Sequence, residues 1–183
     1  NTIAAGRAFV TANKAMIAHH GLELAHAAEN AGTALKYEAA VAGGIPVIKG
    51  LREGLIANDL DTILGIVNGT SNYILTQMKE KRLSFHEALL EAKHHGYAER
   101  NPSLDIDGRD ASHKLAILTL LGFGVQVRLS DIYVEGISQV SQADIQYADE
   151  LGYCIKPLAI AKRVDHELEV RVHPTLLAKT HLL

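Results

Sequence analysis

At 183 residues, 48% of them hydrophobic and 21% charged, the chain has the composition of an ordinary globular protein long enough to bury a sizeable core. A net charge of −3 with acids and bases interspersed, few aromatics and no tryptophan leave neither a basic footprint nor a stacking surface for nucleic acid. The apolar runs are too short for a membrane span, no charged-then-apolar leader opens the chain, and the single cysteine, Cys154, excludes an internal disulfide, so a reduced, cytoplasmic setting is expected.

In chain order, Arg7 to Thr11 reads as a short strand and Ala12-Asn13-Lys14 as the turn leaving it. A helix beginning near Gly21 or Leu22 and stopping at Gly32, then a strand at Ala34 to Ala39, completes one α/β unit. Gly43, Gly44 and Pro46 predict a tight bend with carbonyl oxygens turned inward, the donors hard cations prefer. Pro46 to about Asn58 reads as a helix with Val47, Ile48, Leu51, Leu55 and Ile56 inward, and Asp61 to Val67, which alternates or runs apolar, as a buried strand. The polar turn from Asn68 to Asn72 then feeds a helix through Tyr73, Ile74, Leu75 and Met78, with Thr70 or Ser71 suited to cap it. Backbone N–H groups at such a strand-to-helix turn suit an anionic group.

Ser84 with Glu87 forms a capping box, Leu83 is placed as a staple, and the helix should run from Ser84 to about His95 before Gly96. Another helix is expected from about Arg109 to Leu121, ending at Gly122-Phe123-Gly124. Between them lies a rigid loop carrying Glu99, Asp105 and Asp107, with Pro102 and Gly108 fixing its course. Asp110 and Lys114, four apart, emerge on one helical face. Alone, such a pair is a surface contact worth about 0.3–0.5 kcal/mol. A lysine held by an aspartate and facing several carboxylates suits binding of a zwitterionic small molecule, or proton movement at a hydroxyl or carbonyl.

Beyond this region, Ile132 to Gly136 reads as a strand, Ser141 caps a short helix ending at Gly152, and Ile155 to Arg163 forms another strand. After a turn at Val164-Asp165-His166, Leu168, Val170 and Val172 alternate with polar residues as a strand buried on one face. The pieces sum to an α+β fold, a mixed β-sheet packed with helices. Among the ten histidines, the adjacent pairs His19-His20 and His94-His95 diverge by about a hundred degrees on a helix and do not make a transition-metal site.

The run Gly96-Tyr97-Ala98-Glu99, then Pro102, Asp105, Gly108, Asp110 and Lys114, resembles the signature of homoserine dehydrogenases. Similar blocks occur in family order at Val10 to Met16, Tyr37 to Ile48, Leu51 to Leu55, Ile66 to Leu75 and Tyr133 to Ile137. One departure is Asn101, where the family often has an acid before the proline. The resemblance implies NAD(P)-dependent interconversion of L-homoserine and L-aspartate 4-semialdehyde. It implies a catalytic Lys114 with Asp110 and Lys14, a substrate shell of Glu99, Asp105, Tyr97, Thr70 and Gly69, and Asn13, Lys14 and Asn68 beside the cofactor. It further implies a sodium site at Glu38, Val41, Gly43 and Ile45, mainly through main chain, and a homodimer formed through the sheet.

By the same resemblance, residues 1–33 are the tail of a Rossmann-type nucleotide-binding domain and 34–183 a catalytic and dimerisation domain truncated at its end. No G-x-G-x-x-G phosphate loop follows a strand here, so the chain is expected to be a fragment that does not turn over alone. The alternative is a non-catalytic amino-acid-binding or dimerisation module.

Overall fold

The computed structural model describes residues 2–183. In order, the elements are β1 (Phe9–Val10), α1 (Lys14–Asn30), β2 (Leu35–Lys36), α2 (Val47–Lys49), β3 (Thr62–Gly65), α3 (Gly69–Lys81), α4 (Phe85–His94), α5 (Ser103–Ile106), α6 (Arg109–Phe123), β4 (Tyr133–Val134), α7 (Gln142–Glu150), β5 (Tyr153–Val164) and β6 (Glu167–Ala178). They form two compact units, one reaching to Ile63 and taking in His113–Asp131, the other made of Leu64–Ser112 and Ile132–Leu183. The divisions fall after Ile63, after Ser112 inside α6, and after Asp131.

In the first unit, β1 and β2 pair in parallel, Phe9 opposite Leu35, with α1 as the connection between them. The helix starts seven residues before the expected Gly21, because the Asn13 side chain accepts a hydrogen bond from Met16 N at 3.0 Å. An asparagine that reads as a turn residue is equally an N-cap. Ile17, Ala28, Leu35, Val41, Ile48, Ile117 and Leu118 form the core. The helix expected from Pro46 to Asn58 is cut to α2 and a wider turn over Gly50–Gly54. Leu55 and Ile56, expected inward, are exposed. Two glycines four apart weaken the helix where it would have carried them to the core.

The second unit is built on a sheet of order β3-β5-β6-β4. β5 and β6 make a twelve-pair antiparallel hairpin turned at Asp165-His166, while the short β4 runs parallel to β6. Edge strand β3, whose Leu64 and Gly65 belong to this unit, alternates between exposed and half-buried positions, so the alternation expected there is present and the burial is not. Ile74, Leu75 and Met78 of α3 pack with Ala88 and Ala92 of α4, Ile137, and Ile145 of α7. The predicted capping box of Ser84 with Glu87 is present on α4, and the Ser141 cap expected on α7 proves to be a second box, with Asp144. The acidic loop contains one helical turn of its own, α5, whose first N–H donates to Asn101 Oδ1 at 3.3 Å.

Candidate functional site

The acidic turn is pinned to the sheet by close backbone packing. Gly108 takes φ +81°, and a Cβ there would lie 3.0 Å from Val134 Cγ1. Gly136, just past β4, runs so near α5 that a Cβ would fall 2.4 Å from Ile106 O. Beside it, Ile137 N donates to Ile106 O at 2.8 Å. The carboxylates of this stretch are thus placed by the sheet as well as by their own chain.

Asn68 stands at their centre. It, and neither Thr70 nor Ser71, caps α3, its Oδ1 accepting from Ser71 N at 2.9 Å. Its Nδ2 donates to Asp105 Oδ1 at 2.7 Å and to Asp110 Oδ2 at 2.9 Å. The Ser71 hydroxyl adds a bond to Asp105 O at 2.9 Å. Asn68, Ser71 and Asp110 are buried, and Asp105 is half-buried. Carboxylate acceptors taking hydrogen bonds from a buried amide make a stiff wall of acceptor oxygens. Lys114 is half-buried one helical turn after Asp110 on α6.

Around this wall, the Thr70 hydroxyl donates to Tyr97 O at 2.8 Å, tying the start of α3 to the turn after α4. Tyr97 is largely exposed and stacks on Tyr73, the ring centroids 4.3 Å apart. Gly69 opens α3, and Glu99 and Asp107 are exposed. The structure thus brings Asn68, Gly69, Thr70, Tyr97, Asp105 and Asp110 together in the second unit. Ser71 and Gly136 were not anticipated from the sequence. Their signals were the second hydroxyl of the Thr70-Ser71 pair and a glycine just beyond a predicted strand.

The remaining candidates lie in the first unit, with Asn13 capping α1 and Lys14 as its first residue. Both carboxylate oxygens of Glu38 accept backbone bonds at 2.9 Å, from Ile48 N and Lys49 N. Ala42 and Gly43 have left-handed backbone, φ +61° and +58°, Val41 is buried, and Ile45 O accepts from Val47 N at 2.8 Å. The resulting bend exposes Gly43, Gly44 and Ile45. Among the described residues, no group of three or more His, Cys, Asp or Glu side chains is placed to hold a metal ion, and no helix is long and apolar enough to cross a membrane.

This α+β architecture recurs in solved homoserine dehydrogenases. The structure from Thiobacillus denitrificans superposes with a TM-score of 0.96 at 50% identity, covering 98% of this chain and 42% of that one. A hyperthermophilic archaeal homoserine dehydrogenase in complex with NADPH gives a TM-score of 0.85 at 29% identity, over 99% of this chain and 52% of that one. In sequence, the chain is 50% identical over 178 residues to the homoserine dehydrogenase of Pseudomonas aeruginosa, which is 97% of this chain and 41% of that protein. The homoserine dehydrogenase family model matches residues 46–183, and the chain belongs to that family. It spans less than half the length of the Pseudomonas and Thiobacillus proteins.

Proposed function

We propose that this chain supplies the substrate-binding and catalytic part of an enzyme interconverting L-homoserine and L-aspartate 4-semialdehyde with NAD or NADP. The observation that carries the reading is the carboxylate pair of half-buried Asp105 and buried Asp110, joined by one amide, with Asp110 in the first turn of the helix that bears Lys114. Asp105, with the exposed Glu99, would take the substrate's ammonium group. Tyr97, Thr70 and Gly69 would line the pocket. Asp110 would orient Lys114 and the substrate hydroxyl, and Lys114 would supply a proton to the alkoxide formed from the aldehyde, or accept the hydroxyl proton in the reverse direction. When bound, the nicotinamide cofactor supplies or receives the hydride. Asn13, Lys14 and Asn68 would meet its nicotinamide end, Asn68 through its main chain because its side-chain amide is taken up by Ser71, Asp105 and Asp110, while the polar side chains of Asn13 and Lys14 at the start of α1 fit that part of the molecule. Lys14 would also help polarise the reacting carbonyl.

In this reading, residues 1–33 close a nucleotide-binding domain, 34–183 form a catalytic and dimerisation domain, and the working protein is a cytoplasmic homodimer. Sodium would sit at the Glu38, Val41, Gly43 and Ile45 bend, mainly on main-chain oxygens. Calorimetric titration of L-homoserine into the full-length protein and its Asp110→Asn variant tests the site. Saturable binding weakened at least about tenfold in the variant, a scale consistent with loss of a charge-assisted contact, is expected. Equal affinity in the two would remove Asp110 from the substrate site.

A further inference from the structure

We propose that Asn68 is a positioning residue for the reaction, its side-chain amide locking Asp105 and Asp110 into one receptor; this rests on the functional reading above. The argument turns on the two ends of the amide. Capping α3 needs only an acceptor, which aspartate, serine or threonine provides as well. The Asn68 cap uses only Oδ1, bonded to Ser71 N at 2.9 Å. The NH2 end contributes nothing to the helix, yet its two protons go to Asp105 at 2.7 Å and to Asp110 at 2.9 Å. Turning the amide over would present an oxygen to two carboxylates and take the acceptor from Ser71 N, so the orientation is fixed from both sides.

The carboxylates stand on different elements, Asp105 in α5 and Asp110 in the first turn of α6. They lie 37 and 42 residues from Asn68 in sequence. The amide is therefore a cross-link between the residue assigned to the ammonium group and the one assigned to the lysine. Ser71 reinforces it through the main-chain oxygen of Asp105. With Asn68 and Asp110 5% and 6% exposed, the arrangement has little water to fall back on when the amide is lost.

Asn68→Ser and Asn68→Asp both keep a capping oxygen and lose the amide donor, which separates the two roles. Steady-state homoserine oxidation by the full-length protein is the readout, with thermal melting alongside. Both variants should melt below wild type, Asn68→Asp the lower because it adds a third carboxylate to the pair, while kcat/KM measured below the melting transition falls about 10²-fold, the scale of a misplaced catalytic group, with KM raised and kcat lowered together. In an Asp105→Ala background, Asn68→Ser should cost at least about fivefold less than it does in wild type, because the two residues act through one contact. Wild-type kcat/KM in both Asn68 variants, or losses that simply multiply with Asp105→Ala, would overturn the proposal. Asp110→Asn and Lys114→Ala are measured in the same series. If they lose activity and the Asn68 variants do not, only the positioning role fails; if none does, the functional reading falls and this inference with it.

Discussion

Replacing Gly136 with alanine places a Cβ 2.4 Å from Ile106 O, 2.9 Å from Asp107 Cα and 3.3 Å from Asp107 C. All three are backbone atoms, so no side chain can swing aside; the segment after β4 or the α5 turn has to move. The hydrogen bond from Ile137 N to Ile106 O, 2.8 Å long, lies beside the clash and is stretched by the same displacement. Overpacking of this kind costs about 1–3 kcal/mol. For a chain of this size each kcal/mol is worth about 2–4 °C, so the melting temperature should fall by about 2–12 °C. Asp105 sits in the displaced turn, so homoserine affinity should fall as well. Circular dichroism melts and homoserine titration of Gly136→Ala check both effects. A melting temperature within about 1 °C of wild type, together with unchanged affinity, would refute the packing argument.

Leu158→Ala, which truncates a β5 side chain 1% exposed and clustered with Ile160 and Leu177, should destabilise by about 2–5 kcal/mol in chemical denaturation. Acid should weaken the fold through four surface carboxylates. The Ser84 hydroxyl lowers the pKa of Glu87, the Ser141 hydroxyl that of Asp144, the Lys179 ammonium that of Asp149, and the Arg128 guanidinium that of Asp131. Groups with depressed folded values stabilise fully above their unfolded values, near pH 4, and lose that contribution as pH falls through the folded ones. Melting temperature should therefore decline below about pH 4, and less steeply in a Glu87→Gln, Asp149→Asn double variant.

Local patterns carried much of the fold. Ser84 with Glu87, the Ser141 cap and the strand β6 each rest on residues within a few positions of one another, and all appear as expected. Asn13 misled because one side chain serves equally well in a turn or at a helix start, so the spacing places the start of α1 near Gly21 instead of at Lys14. Leu55 and Ile56 misled because helical spacing says nothing of whether the helix continues past Gly50 and Gly54. At the site, the acidic turn and the Asp110–Lys114 spacing were legible. The bridge made by Asn68 was not, since its partners are 37 and 42 residues away and only tertiary packing brings them together.

The proton-transfer role of Lys114 is the claim on which the account most depends. Turnover of L-homoserine with NAD and with NADP by the full-length protein, measured before and after Lys114→Ala, tests it directly. Loss of a general acid or base predicts a fall in kcat of about 10²–10⁴, whereas a fall of less than about tenfold would contradict it.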